Sequence, residues 1–301
     1  MELTVKIGGR VLKNPVGVAS GTFGYGSEYE ELIDLSRIGA LYTKAVTLEP
    51  RAGNDIPRLV ETPSGIINSI GLANVGVKAF LSDKMPYLST LSCAVIVNVA
   101  GATEDEYAAV VRLLEASDAI WGYEINVSCP NVRHGGLCFG TDPAVIGRLT
   151  ANLRTLTQKP LIIKLTPNVT DIAVIATAAV NGGADAVSCI NTVVGMVIDT
   201  KTRRPVLPAK TGGLSGPAVR PVGVAMTYKV SRAVKVPVIG MGGIMCADDA
   251  VQYLLAGASA VQVGTATFVN PSTCVEVVDG IRGYAESNGI TSLSGFHSFI
   301  K

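Results

Sequence analysis

Charge is what this chain has least of. Only 16% of its 301 residues are Asp, Glu, Lys or Arg, against 48% hydrophobic, and 25 basic residues nearly cancel 24 acidic ones. A formal charge of +1 removes the electrostatic case for nucleic acid or an anionic membrane as partner. Long apolar runs are missing too: stretches such as Ile172–Val180 fall well short of the ~18 residues needed to cross a bilayer. The hydrophobicity is therefore expected in buried parallel strands, not in a membrane. No basic segment leads into an apolar run at the start, so no signal peptide is expected. None of the six cysteines (Cys93, Cys129, Cys138, Cys189, Cys246 and Cys274) stands in a C-x-x-C pair, which argues against zinc or an iron–sulfur cluster held within this chain. With no secretory signal, disulfides are not expected either. The expectation is a cytoplasmic protein with free thiols and no metal. A dinucleotide fingerprint is also absent, since no G-x-G-x-x-G follows the first strand candidate.

What is present is alternation. Short apolar runs at Val16–Ala19, Leu41–Lys44, Ala94–Val99, Gly122–Val127, Leu161–Leu165, Ala186–Ile190, Val238–Gly240 and Ala260–Val263 read as strands. Helical patterns follow them near Glu28–Arg37, Val75–Tyr87, Glu104–Ala116, Asp142–Thr157, Thr170–Asn181, Val219–Val234, Ala247–Ala256 and Pro271–Ser287. About eight βα units predict one TIM-barrel domain over residues 1–301, an open doubly wound sheet being the alternative. Gly39-Ala40, Gly183-Ala184 and Gly257-Ala258 each read as a left-handed glycine ending a helix before the next strand. The opening TVKIGGRVLKNP reads as a hairpin that closes the barrel bottom. Two connections, Val46–Asn74 after the second strand and Asn191–Gly216 after the sixth, are too long for simple loops. Both leave C-terminal strand ends, where barrel active sites sit, and read as a lid and a wall.

The chain is organised around Tyr123–Gly140, YEINVSCPNVRHGGLCFG. An apolar strand there ends in Asn126, a hydrogen-bonding amide, and Cys129, a thiol able to move a proton, before Pro130 and a glycine-rich loop. The plain alternative is a strand with a surface turn and a chance thiol. Ser20, Lys44, Asn98, Asn126, Lys164 and Asn191 close successive strands, so one barrel mouth would gather all six. Taken singly, each could be a solvated strand end. Met241-Gly242-Gly243-Ile244 and Gly264-Thr265-Ala266 follow the seventh and eighth strands, where bare backbone N–H groups commonly hold a phosphate. Together they suit a mononucleotide such as FMN better than bound NAD.

NVSCPN followed by HGGLCFGTD resembles the catalytic loop of class 1 dihydroorotate dehydrogenases, and the HGG-x-x-FGTD continuation is similar to the 1B branch. ASGTFGYG, TKAVT, NSIGL, NVAG, IKLTPN, CINT, GGLSGPA, GMGGI and VGTA extend the likeness along the chain in family order. The resemblance implies oxidation of (S)-dihydroorotate to orotate in de novo pyrimidine (UMP) synthesis, with one FMN per chain. It implies FMN contacts at Ser20, Lys44, Ala45, Asn98, Asn126, Lys164, Ile190, Gly216, Gly242, Gly243, Gly264 and Thr265. Substrate contacts would be Lys44, Asn68, Ser69, Ile70, Gly71, Leu72, Asn126, Asn191 and Thr192, with Asn131 as a further one. Cys129 would be the base that takes the C5 proton, its ordinary pKa of ~8.5 lying close enough to neutrality for that work. Lys164 would stabilise the negative charge of reduced flavin. Two departures stand out: Ala73 replaces the glutamine of NSIGLQN, and Cys138 replaces a small apolar residue.

The 1B likeness also implies a partner. An iron–sulfur flavoprotein electron-transfer subunit carrying FAD and a 2Fe–2S cluster would pass electrons to NAD, in a heterotetramer built on a homodimer of this chain. Apolar flanks on a weakly charged chain suit such permanent contacts. A class 1A-like enzyme using fumarate, the flavin domain of a dihydropyrimidine dehydrogenase and a non-redox phosphate-binding barrel remain as alternatives. A class 2 quinone-using enzyme fits poorly, because its base is a serine.

Overall fold

The runs that read as strands are apolar on both faces because both faces are covered. In the computed structural model, which describes residues 2–127, 133–134 and 137–298, they form eight parallel strands of a closed barrel. These are β1 Val16–Val18, β2 Ala40–Tyr42, β3 Ala94–Val99, β4 Gly122–Asn126, β5 Leu161–Leu165, β6 Ala186–Cys189, β7 Val238–Met241 and β8 Ala260–Val263. Each pairs with its neighbour in sequence, and Val261 opposite Val16 closes β8 onto β1. Closure leaves no strand edge exposed. Every residue of β5, β6, β7 and β8 is buried, as expected of strands covered by helices outside and side-chain layers inside.

Helices cover the strands from β2 onward. Segment 76–88 precedes β3 as one helical stretch with a π-type turn at Phe80–Lys84. Then come α1 Glu104–Leu114, α2 Pro143–Arg154, α3 Ile172–Asn181, α4 Arg220–Ala233, α5 Ala247–Leu255 and α6 Thr273–Ser287. Their starts follow local capping chemistry. Thr103, Asp142 and Asp171 each accept a backbone N–H from the first turn of α1, α2 and α3. The helix expected over Glu28–Arg37 does not form. Only 3-10 turns at Ser27–Tyr29 and Leu35–Arg37 stand there, because Gly24 and Gly26 take left-handed backbone and the Asp34 carboxylate captures the Ser36 N–H. Phe23 stacked on Tyr29 at 4.0 Å packs this connection in place of a helix.

The glycine joints divide in two. Gly183 (φ +97°) and Gly257 (φ +105°) are left-handed helix ends, as the repeat suggested. Gly39 is not: its backbone is ordinary, and it is glycine because a Cβ would strike the Asn14 carbonyl oxygen. The opening hairpin pairs Val5–Ile7 with Arg10–Leu12 through two left-handed glycines, Gly8 and Gly9. Arg10 reaches the carbonyls of Ile120 and Trp121 just before β4, which sets the hairpin against the barrel bottom.

The two long connections belong to one structure. Leu59–Thr62 and Gly65–Asn68 from the first pair with Val193–Gly195 and Gly212–Ser215 from the second in a four-stranded antiparallel sheet over the barrel mouth. Among the described residues, no helix is long and apolar enough to cross a membrane.

Two glycine replacements separate close approach from simple entropy. Gly39→Ala should cost about 1–3 kcal/mol, since its obstacle is backbone that cannot swing aside. Gly283→Ala, in mid-α6 where a Cβ meets nothing within 4 Å, should gain about 0.5–1 kcal/mol. Urea denaturation of both variants checks the pair.

Candidate active site

The C-terminal strand ends open into a cavity of about 310 Å³. All six polar strand-end residues, Ser20, Lys44, Asn98, Asn126, Lys164 and Asn191, line it. So do Ala45, Asn68, Ile70, Leu72, Ile190 and Thr192, and the glycines Gly216, Gly242, Gly243 and Gly264 with Thr265. Ser69 and Gly71 belong to the same run but do not line it. Ser69 instead accepts from the Asn54 side chain at 2.6 Å, and Gly71 is a left-handed turn packed against Asn54. Ala73 lines the cavity. Cys129 and Asn131 lie outside the described residues, as does the side chain of Cys138.

Beneath the cavity sits a group that the sequence pattern did not single out. Glu124, in the middle of β4, is fully buried. Its Oε1 accepts from Asn98 Nδ2 at 2.7 Å and lies 3.4 Å from Lys164 Nζ. Its Oε2 accepts from Gln262 Nε2 at 2.7 Å and Ser188 Oγ at 2.9 Å. Strand register explains the meeting. Glu124 lies opposite Asn98 of β3 and Ile162 of β5, and Ser188 of β6 lies opposite Lys164. Alternation along β4 puts Glu124 and Asn126 on the same, inner face. Tyr42 is buried beside this carboxylate. Burial first, and the Glu124 charge second, push its hydroxyl far above the ordinary tyrosine range.

Other contacts fix the mouth. Lys164 Nζ also donates to Ser20 Oγ at 3.0 Å, and Asn191 Nδ2 donates to Asn126 Oδ1 at 3.3 Å. The Tyr107 hydroxyl donates to the Asn126 carbonyl at 2.7 Å and buttresses the end of β4. At the far side Gly242 (φ +123°) and Gly243 (φ +68°) take backbone that a side chain rarely adopts. The Tyr253 hydroxyl holds the Gly242 carbonyl at 2.6 Å, and an Arg220–Asp249 ion pair braces the loop from behind. Among the described residues, two buried acceptors at the cavity wall, Asn98 Oδ1 and Gln262 Oε1, have no partner.

Four cysteine side chains are described, and three are unsuited to proton transfer near neutrality. Burial pushes the Cys93 thiol up to about 11 and the Cys189 and Cys274 thiols up to about 12. Cys246 is exposed at the start of α5, and it is not among the residues that line the cavity. Among the described residues, no group of His, Cys, Asp and Glu is placed to hold a metal.

A closed parallel barrel whose strand ends gather lysines, asparagines and bare glycine backbone around one cavity has the layout of a TIM-barrel enzyme. The family model described as Dihydroorotate dehydrogenase matches residues 2–284. A protein of Geotalea daltonii called "Dihydroorotate dehydrogenase B (NAD(+)), catalytic subunit" is 52% identical over 100% of this chain and 98% of its own length. Proteins of the same name from Pelobacter propionicus (52%; 97% and 96%) and Thermoanaerobacter pseudethanolicus (51%; 100% and 99%) are similar to it along nearly the whole length of both chains. The chain belongs to the dihydroorotate dehydrogenase family, and the 1B likeness read from its motifs agrees with these relatives.

Thiol chemistry tests the burial pattern. In native protein at neutral pH an alkylating reagent should modify Cys246, while Cys93, Cys189 and Cys274 stay unmodified until denaturant is added. Peptide mass mapping reads the result.

Proposed function

We propose that this chain oxidises (S)-dihydroorotate to orotate in pyrimidine synthesis, with FMN as the resident cofactor and NAD as the final acceptor through a partner subunit. The observation that carries the reading is the convergence of Lys44, Asn126, Lys164 and Asn191 on one cavity in a chain of this family.

The residues present fit FMN. The unpartnered oxygens of Asn98 and Gln262 suit a ligand that brings ring N–H and hydroxyl donors. Glycine backbone at the ends of β7 and β8 suits its phosphate, with Gly242, Gly243, Gly264 and Thr265 as the holders. Ser20, Ala45, Ile190 and Gly216 line the same cavity and would complete the surface that holds FMN. When bound, FMN supplies the acceptor for the hydride that leaves C6 of the substrate.

The protein supplies orientation, charge and a base. Lys44, Asn126, Asn191 and Thr192, with the Asn68–Leu72 run, offer donors and acceptors for the substrate's amide edges and carboxylate. Asparagines do so without the repulsion that aspartates would add. The Asn191-to-Asn126 hydrogen bond holds both amides in one orientation before substrate arrives. Lys164 favours negative charge at the flavin site, and its near-complete burial limits the screening of that charge by salt. Cys129 takes the C5 proton as a thiolate, a role that rests on the NVSCPN resemblance. The electrons taken from dihydroorotate would pass on to an iron–sulfur flavoprotein subunit bearing FAD and the 2Fe–2S cluster, in a heterotetramer on a homodimer core. The exposed Val194, Met196 and Ile198 support such permanent contacts.

Cys129→Ala should keep FMN but lose dihydroorotate oxidation by roughly 10²–10⁴-fold, as for a missing general base. Cys129→Ser should retain a little activity, displaced to high pH. Single-turnover flavin reduction across pH measures both. The isolated chain should reduce artificial dyes yet turn over poorly with NAD or fumarate, and adding the iron–sulfur flavoprotein should restore NAD reduction. Rapid fumarate-dependent turnover by the chain alone would replace the NAD assignment.

A further inference from the structure

Among the described residues, Glu124 is a fully buried charged group that the reaction as described leaves unused. It touches neither the mouth nor solvent, and it is absent from the residues that line the cavity. Yet three of its four donors, Asn98, Lys164 and Gln262, do line the cavity. A carboxylate offers only acceptor sites. Each neighbouring amide must therefore turn its NH₂ inward to Glu124, and that leaves the Asn98 and Gln262 oxygens as the two unpartnered acceptors. The same carboxylate stands 3.4 Å from the Lys164 ammonium, with side-chain exposures of 0% and 5%. At that separation and burial its charge offsets much of what Lys164 presents to the cavity.

We infer that Glu124 is the positioning residue that sets the electrostatics of the flavin site: it orients the Asn98 and Gln262 amides and attenuates the Lys164 charge, and so tunes the midpoint potential of bound FMN. The inference rests on FMN being the resident cofactor. Glu124 does not touch the substrate and acts through its donors. A purely architectural carboxylate would affect folding stability alone. A tuning carboxylate must move the potential, and in a defined direction. Removing its negative charge leaves Lys164 less compensated, which favours the more negative reduced flavin over the oxidised form.

The test is the midpoint potential of FMN bound to wild type, Glu124→Gln, Lys164→Met and the double variant, measured by dye equilibration without substrate. Glu124→Gln should raise the potential, changing the ratio of reduced to oxidised FMN affinity by about tenfold, or about 30 mV for a two-electron couple. Lys164→Met should lower it, because the surviving Glu124 then acts unopposed. The double variant should return close to wild type, since removing both members of a buried pair leaves no net charge change. Should Glu124→Gln alone fail to fold, the double variant against Lys164→Met carries the same comparison. A second reading comes from binding: Glu124→Gln can rotate the amides and should weaken oxidised FMN several-fold by fluorescence titration. Equal potentials for wild type and Glu124→Gln, or for Lys164→Met and the double variant, would overturn the inference while leaving the FMN reading standing. Failure of wild-type protein to bind FMN would instead overturn that reading.

Discussion

A single carboxylate buried in the barrel ties the polar half of this structure together. Burying a charge is costly unless donors surround it. Glu124 is matched by an amide from β3, an ammonium from β5, a hydroxyl from β6 and an amide from β8. Five of the eight strands thus meet at one level below the mouth. Removing one partner from such a set commonly costs about 3–5 kcal/mol, because the remaining charge stays buried. The network therefore enforces register among those strands, and register decides which side chains reach the cavity.

From that level upward the site becomes less deeply buried. Lys164 and Asn98 are buried, Asn126, Asn191 and Lys44 are half-buried, and above them lies the sheet formed by the two long connections. Asn98, Asn126 and Lys164 are carried by barrel strands, whereas Ser20, Lys44 and Asn191 stand on the connections that follow theirs. The glycine turns after β7 and β8 line the cavity on its far side. Tyr253 and the Arg220–Asp249 pair fix the first of them from outside the cavity.

Much of this was legible in the chain before its structure. Strands announced themselves as apolar runs, and their polar last residues announced the mouth, because burial on both faces leaves few other places for a lysine or asparagine. Four features were not legible. Glu124 hides inside YEIN, where one acid in an apolar strand looks outward-facing unless the neighbouring strands' donors are placed beside it. The pairing of Gly65–Asn68 with Gly212–Ser215 joins segments more than a hundred residues apart, and neither carries a strong strand pattern. The missing helix after β1 reflects capture of the Ser36 N–H by Asp34 and two left-handed glycines, local contacts that outweigh an apolar periodicity. Gly39 taught a similar lesson, its need for glycine lying in a backbone contact with Asn14 that no repeat could reveal.

The central claim is that this chain alone, without any partner, carries out the oxidation of dihydroorotate on bound FMN. Anaerobic mixing of the purified, FMN-loaded chain with dihydroorotate in a stopped-flow spectrometer tests it most directly. The account predicts that visible flavin absorbance bleaches in one turnover and that one equivalent of orotate forms per FMN. Flavin that stays oxidised in the presence of saturating dihydroorotate would contradict it.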